Sequence, residues 1–236
     1  MKLLPDWLTK GYLAVIEPVA GWLVRRKVHP NVITVIGTVC SVIAGVIYAT
    51  GHIRTAGLFL GFTALFDVLD GTVARRTGQE STFGAFLDST LDRLADGALL
   101  GGLVVFYAIN PAHHNNWMMA VAIAGLIAAF LTSYTRARAE ALGIDAKGSG
   151  ILQRPERVVL LAAPQGIFGL ALNGWVLSVI VVILTVTAWI TVVQRVLFVY
   201  RQTKVRLEAE PLRLPTEKKL PRRTGRMAKR SLLKGE

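Results

Sequence analysis

Four aspartates in the first half of the chain have a spacing that favours metal-dependent chemistry. Asp67 and Asp70 lie three residues apart, and Asp88 and Asp92 lie four residues apart. Residues at these separations share one face of a helix, with Cβ atoms about 5 to 6 Å apart. Each pair therefore presents two carboxylates on the same side of its helix.

The apolar surroundings of these carboxylates make them unusual. Of the 236 residues, 53% are hydrophobic and the mean hydropathy is +0.48, which excludes a soluble enzyme, a secreted disulfide scaffold and a disordered chain. Yet six of the fifteen acidic residues lie between Asp67 and Asp96. A charge at the centre of a membrane-spanning helix costs at least about 2.5 kcal/mol on insertion scales. The carboxylates must therefore be compensated.

Helix geometry predicts that the two pairs meet. If one helix ends near Arg76 and the next begins near Thr82, a rise of about 1.5 Å per residue places Asp70 and Asp88 each about 9 Å from those ends. By the same arithmetic, Asp67 lies about 13 Å and Asp92 about 15 Å below them. Two divalent cations would balance four such charges. Oxygen ligands without Cys or His nearby favour Mg²⁺ or Mn²⁺.

Six apolar segments are expected to position this site. The sequence predicts an all-α integral membrane protein with six transmembrane helices, over residues 32–50, 55–74, 83–107, 117–137, 155–172 and 174–200. An amphipathic interfacial helix is expected before them, within residues 1–30. Its apolar stripe consists of Leu4, Leu8, Tyr12, Ile16, Val19 and Leu23.

The distribution of basic residues predicts the orientation. Of the 27 Lys and Arg residues, 25 fall on the side of the membrane that holds both termini. The positive-inside rule makes that side cytoplasmic, so we expect a multi-pass protein of the cell membrane with a cytoplasmic active site. We divide the chain into the helix of residues 1–30, a catalytic domain of residues 31–202 and a tail of residues 203–236. The tail, with 11 basic and 4 acidic residues, is predicted to be disordered and to contact anionic lipids, not nucleic acid.

The aspartates belong to a longer pattern, Asp67-x2-Asp70-Gly71-x2-Ala74-Arg75-x8-Gly84-x3-Asp88-x3-Asp92. It resembles the signature of the CDP-alcohol phosphotransferases, and the opening Pro30-Asn31-x2-Thr34 is also similar to that family. The resemblance implies that an alcohol attacks the β-phosphorus of a CDP-linked lipid, with CMP as the leaving group. It also implies a homodimer.

The resemblance assigns roles to individual residues. Asp67, Asp70, Asp88 and Asp92 are implied metal ligands, and Asp92 is also the implied general base. The implied contacts of CDP-diacylglycerol are Pro30, Asn31, Val32, Ile33, Gly71, Ala74, Arg75, Ser81 and Gly84. Two alternatives remain open, because Asn31 and Thr34 are also suited to cap a helix, and Gly71, Ala74 and Gly84 are also suited to plain helix packing.

A cluster of arginines at the same membrane level predicts that the acceptor alcohol carries a phosphate. The residues expected to bind it are Ser133, Arg136, Arg154 and Arg195. This pattern resembles the phosphatidylinositol phosphate synthases of actinobacteria, which implies inositol 1-phosphate as the acceptor. Glycerol 3-phosphate is the nearest alternative, and arginines at helix ends also serve as membrane anchors.

Two further interpretations complete the predictions. Intramembrane acids also occur in cation-coupled transporters, although such carriers place polar groups toward both faces. Asp96 lies outside the family pattern, and we expect it to pair with Arg93 or another buried base.

Overall fold

A computed structural model of the chain describes residues 6–145, 150, 152 and 154–209, with side chains from residue 16 to residue 205. Leu4 of the predicted apolar stripe and the predicted tail from residue 210 onward lie outside these residues. The described part is helical and contains no strand, as the sequence predicts. Its helices are α1 (Asp6–Arg25), α2 (Pro30–Ala49), α3 (Ile53–Thr77), α4 (Thr82–Ile109), α5 (Asn116–Ala141), α6 (Arg154–Phe168) and α7 (Trp175–Ala209). The chain divides into two compact units, residues 1–199 and 200–236.

Helices α2 to α7 coincide with the six predicted segments, but only four helical stretches in the described chain are long and apolar enough to cross a membrane. These are Pro30–Ala49, Ile53–Thr77, Asn116–Ala141 and Ala171–Val205. Helix α4 is polar for a span because Asp88, Asp92, Arg93 and Asp96 lie on it. Helix α6 has 15 residues, a length of about 22 Å, which is shorter than the hydrocarbon core of about 30 Å.

Helix α1 packs against α3 through part of its predicted apolar stripe. Ile16 and Ala20 are buried in a cluster with residues of α2 and α3, and Leu23 packs at its edge. The carboxylate of Glu17, on the same helix, forms an ion pair of 2.5 Å with Arg76. Val19 points away and is 43% exposed. One side of the amphipathic helix is therefore attached to the protein.

Helix α2 is the central element of the site, because it packs against both α3 and α4. The α2–α4 crossing is close enough to require glycine. A Cβ on Gly45 would overlap the carbonyl oxygen of Ala98, and a Cβ on Gly102 would overlap the carbonyl oxygen of Gly45. Small residues let helix backbones approach in this way. The crossing fixes α4, and with it the second aspartate pair, relative to α2.

Helix α6 is fixed to the same core by its packing on α3 and by one buried polar contact. The hydroxyl of Tyr48, on α2, donates a hydrogen bond of 2.8 Å to the carbonyl oxygen of Leu161. Tyr48 is completely buried. A hydroxyl buried in this way must keep its partner, since an unsatisfied one costs about 1–3 kcal/mol. The contact therefore sets the position of α6, whose first residue is Arg154.

The α2–α4 crossing predicts that Gly102→Ala destabilises the protein. The added methyl group overlaps the Gly45 carbonyl, and such overpacking costs about 1–3 kcal/mol. We expect a lower midpoint of thermal unfolding in detergent. Gly101→Ala is the matched control, because no described atom lies within 4 Å of a Cβ built on Gly101. Equal unfolding midpoints for the two variants would contradict the close crossing.

Candidate active site

The two aspartate pairs lie on two helices that both pack against α2. Asp67 and Asp70 lie on α3, Asp88 and Asp92 lie on α4, and α2 packs against both helices. A Cβ on Gly37 of α2 would lie 4.0 Å from the Oδ1 atom of Asp67. Asp88 interacts electrostatically with the other three carboxylates. The structure therefore brings the four predicted side chains into one neighbourhood.

Asp70 is the most buried of the four aspartates. Its side chain is buried, and its Oδ2 atom accepts a hydrogen bond of 2.8 Å from the hydroxyl of Thr34 on α2. Its Oδ1 atom accepts a hydrogen bond of 2.5 Å from the backbone N–H of Gly71. Two donors leave lone pairs on both oxygens for a further ligand. Thr34 therefore positions a carboxylate of the site.

Arg154 places a positive charge among the carboxylates. Its Nη1 atom lies 2.7 Å from Asp67 Oδ2 and 2.7 Å from Asp92 Oδ1. One guanidinium nitrogen thus bridges α3 and α4 from the beginning of α6. In the described residues, no three His, Cys, Asp or Glu side chains are gathered closely enough to form a metal site. The guanidinium of Arg154 lies between Asp67 and Asp92 in this structure.

Asp96 extends the charged cluster by one helical turn. It pairs with Arg157, at 3.4 Å, and with Arg154, at 3.7 Å. The alternative partner, Arg93, instead donates to the backbone carbonyl of Ser89 on its own helix. The expectation of another buried base was therefore correct, and pairing with Arg93 was wrong.

A cavity of about 350 Å³ opens beside Asp92 and Asp96. The arginines in its wall are Arg93, Arg136, Arg154, Arg157 and Arg195. Ser133 also lies in the wall, so all four residues predicted to bind the acceptor phosphate border a single cavity. Two carboxylates and five arginines give the lining a formal surplus of three positive charges.

The arginines of this cavity are held in different ways. Arg195, on α7, donates to the backbone carbonyl of Thr132 on α5. Arg136 forms an ion pair of 3.1 Å with Glu140, one turn later on α5, and both side chains are exposed. Arg154 is fixed on the aspartates, as described above. The cavity therefore combines arginines from α4, α5, α6 and α7.

The first turns of α2 and α4 lie side by side and carry several predicted donor-substrate residues. The side-chain oxygen of Asn31 lies 3.3 Å from a Cβ built on Gly84. Ser81 caps α4 and accepts a hydrogen bond of 2.9 Å from the backbone N–H of Gly84. Helix α2 is capped by His29, whose Nδ1 atom accepts from the backbone N–H of Asn31 at 3.2 Å. The capping alternative for Asn31 and Thr34 was therefore wrong.

The remaining predicted contacts differ in accessibility. Pro30 is buried, and Ile33 packs in the cluster that joins α1, α2 and α3. Val32 is 49% exposed on the other side of α2. Arg75 folds back toward Gly71, with Nη1 3.4 Å from a Cβ built there. Ala74, in the same turn as Arg75, is partly buried.

The predicted site residues did not include Arg93, Arg157 or Asp96. Arg93 and Arg157 line the cavity, and Asp96 connects it to the acidic cluster. Helical spacing could have predicted two of them, because Arg157 lies three residues after Arg154 and Asp96 lies four residues after Asp92. Residues at those separations share a helix face.

The chain is similar in sequence to several actinobacterial enzymes. A phosphatidylinositol phosphate synthase of Streptomyces avermitilis is 38% identical over 201 residues, which cover 81% of this chain and 80% of the relative. One of Mycobacteroides abscessus is 36% identical over 188 residues, covering 78% and 83%. The sequence-based resemblance to actinobacterial enzymes of this name is confirmed.

Solved structures give the same result. The Mycobacterium tuberculosis phosphatidylinositol phosphate synthase with CDP-DAG bound is 34% identical and matches with a TM-score of 0.71, over 79% of this chain and 94% of that one. The same enzyme in complex with manganese and citrate also matches with a TM-score of 0.71 and 34% identity, over 78% and 88%. The model of the CDP-alcohol phosphatidyltransferase family matches residues 27–200. The chain therefore belongs to the CDP-alcohol phosphatidyltransferase family of enzymes.

Proposed function

We propose that this enzyme transfers the phosphatidyl group of CDP-diacylglycerol to inositol 1-phosphate, which yields phosphatidylinositol phosphate and CMP. The observation that carries the proposal is the arginine-lined cavity beside Asp92. The relatives named phosphatidylinositol phosphate synthase support the acceptor, and the relative with CDP-DAG bound supports the donor. Membership of an enzyme family removes the support for a transporter.

The charge of the cavity suits an alcohol that carries a phosphate. Its lining has three more positive than negative formal charges. Guanidinium groups bind phosphate oxygens through paired, charge-assisted hydrogen bonds. We assign the acceptor phosphate to Ser133, Arg136, Arg154 and Arg195. Free inositol and serine carry no phosphate and would leave the surplus positive charge of the lining unbalanced.

Asp92 borders both the acidic cluster and the cavity, which suits it to act as the general base. We propose that it accepts the proton of the acceptor hydroxyl. That oxygen then forms a bond to the β-phosphorus of CDP-diacylglycerol, and the bond from this phosphorus to the CMP oxygen breaks. In the described state, Arg154 holds the Asp92 carboxylate at 2.7 Å. This contact fixes the orientation of the carboxylate toward the cavity.

The acidic cluster has a composition that fits divalent cations. Its donors are carboxylate oxygens, the ligands that Mg²⁺ and Mn²⁺ prefer. Within the described residues, Asp67 and Asp92 form ion pairs with Arg154, and Asp96 pairs with Arg154 and Arg157, so Arg154 already places a cation between two of the acids. We propose that Asp67, Asp70, Asp88 and Asp92 hold two Mg²⁺ ions, or Mn²⁺ as in the manganese-bound relative. Such ions would polarise the phosphoryl oxygens and stabilise the departing phosphate.

The first turns of α2 and α4 suit the nucleotide of the donor. Backbone N–H groups at helix N-termini favour phosphate groups, and these two ends lie together at Asn31 and Gly84. We assign the CDP-diacylglycerol contacts to Pro30, Asn31, Val32, Ile33, Gly71, Ala74, Arg75, Ser81 and Gly84. The side chains of Pro30 and Ile33 are buried, so we propose that these two residues contact CDP-diacylglycerol through their backbone atoms.

We also propose that α2 to α7 all span the cell membrane, with the site and both termini in the cytoplasm. The support is the charge distribution, with 25 of 27 basic residues on one side. The polar helix α4 can span because its carboxylates face the site. A homodimer and binding of anionic lipids by the basic tail remain predictions.

A divalent cation should be essential for activity. We expect CMP release to stop in excess chelator and to return with Mg²⁺ or Mn²⁺. Asp67→Asn, Asp70→Asn and Asp88→Asn should each abolish turnover by removing a ligand. Glu80→Gln is the matched control, because this carboxylate is exposed in the turn between α3 and α4. Full activity in chelator would overturn the metal assignment.

An acceptor panel tests the proposed function directly. Purified protein receives CDP-diacylglycerol and Mg²⁺, and CMP release is measured with inositol 1-phosphate, glycerol 3-phosphate, inositol or serine. We expect the highest kcat/KM with inositol 1-phosphate. A preference for glycerol 3-phosphate would make the protein a phosphatidylglycerophosphate synthase, and a preference for free inositol would remove the role of the arginines.

The same assay tests the acceptor residues. Arg195→Gln removes charge-assisted hydrogen bonds worth about 1.5–3 kcal/mol, so the KM for inositol 1-phosphate should rise roughly tenfold to a hundredfold. The KM for CDP-diacylglycerol should change little. Arg138→Gln is the control, because it neutralises an exposed arginine of α5 outside the cavity wall. An unchanged acceptor KM in Arg195→Gln would mean that Arg195 is only a membrane anchor.

A further inference from the structure

Asp96 occupies a special place between the two halves of the site. It lies one turn after Asp92 on α4, and its side chain is 17% exposed. One of its oxygens lies 3.7 Å from Arg154 Nε, and the other lies 3.4 Å from Arg157 Nη2. A single carboxylate thus joins two arginines of the acceptor cavity.

Arg154 is shared between this carboxylate and the metal-binding aspartates. Its Nη1 atom contacts Asp67 and Asp92, whereas its Nε atom faces Asp96. The Nε atoms of Arg154 and Arg157 are buried and have no hydrogen-bond partner among the described residues. Electrostatic attraction to Asp96 therefore acts on Arg154 at its Nε atom and on Arg157 at its Nη2 atom. Among the described residues, removing that attraction would leave Asp67 and Asp92 as the ion-pair partners of Arg154.

We propose that Asp96 is a positioning residue, which holds Arg154 and Arg157 toward the acceptor cavity and limits the neutralisation of Asp67 and Asp92 by Arg154. Its part in acceptor binding rests on the proposed function. Its part in cation binding does not, because it depends only on competition for two carboxylates. Loss of Asp96 should therefore weaken both acceptor binding and cation binding.

Asp96→Asn tests the first part through a separation of KM from kcat. The KM for inositol 1-phosphate should rise about tenfold, which corresponds to the loss of one charged interaction. Both kcat and the KM for CDP-diacylglycerol should stay within about twofold of wild type. Glu80→Gln is the matched control, because it removes an exposed carboxylate in the turn between α3 and α4, outside the cavity wall. Equal acceptor KM in Asp96→Asn and wild type would overturn this part.

Binding of Mn²⁺ without any substrate tests the second part. The concentration of free Mn²⁺ is measured by electron paramagnetic resonance for wild type, Asp96→Asn, Arg154→Gln and the double variant. Asp96→Asn should weaken Mn²⁺ binding several-fold in the wild-type background, since Arg154 then binds Asp67 and Asp92 more fully. In the Arg154→Gln background, the fold-loss of Mn²⁺ affinity caused by Asp96→Asn should be at least about threefold smaller. Equal losses in the two backgrounds would overturn the competition.

Asp96→Glu separates a charge effect from a packing effect. It keeps the carboxylate but adds a methylene group, whereas Asp96→Asn keeps the shape and removes the charge. Positioning by charge predicts that Asp96→Glu is closer to wild type in acceptor KM and Mn²⁺ affinity. The opposite order would show that Asp96 only fills space. If wild type prefers another acceptor, the proposed function fails, while the Mn²⁺ experiment still decides the role of Asp96.

Discussion

Carboxylates held among apolar helices must be balanced by positive charge, and the arrangement of this protein depends on that constraint. Asp67 and Asp92, on different helices, share the same nitrogen of Arg154. That guanidinium belongs to the first residue of α6, so the short helix must begin where α3 and α4 face each other. Arg154 and Arg157 of the cavity wall lie next to the acids because their positive charges balance the carboxylates. Attraction between the two sets of charges joins the proposed donor and acceptor sites.

Helix α2 makes this arrangement possible, although it carries none of the aspartates. It packs against α3 and α4, approaches α4 through Gly45 and Gly102, and holds Asp70 through the hydroxyl of Thr34. Its first turn also meets the first turn of α4 at Asn31 and Gly84. One helix therefore sets the spacing of the acidic pairs and forms a wall of the proposed nucleotide site. Glycine is needed at the crossing because any larger residue would separate the two helices.

The sequence predicted the helices and the gathering of the acidic pairs, because hydropathy and three- or four-residue spacing are local signals. It did not predict that Arg154 lies on Asp67 and Asp92, since an arginine at a helix start carries no local information about distant carboxylates. The cap of α2 was missed because histidine is an uncommon N-cap residue. The charged residues of α4 and the 15-residue length of α6 keep these two helices from meeting the hydropathy and length of a membrane span, so four of the six predicted spans are found in the described chain.

The central claim is that the acceptor alcohol is activated by Asp92, where the acidic cluster meets the arginine-lined cavity. The most direct measurement is single-turnover CMP release by Asp92→Asn, with Mn²⁺ and CDP-diacylglycerol binding measured on the same preparation. We predict that both ligands still bind, while the chemical step slows by the factor of about 10² to 10⁴ expected for a lost general base. A near-normal rate of CMP release by this variant would contradict the claim.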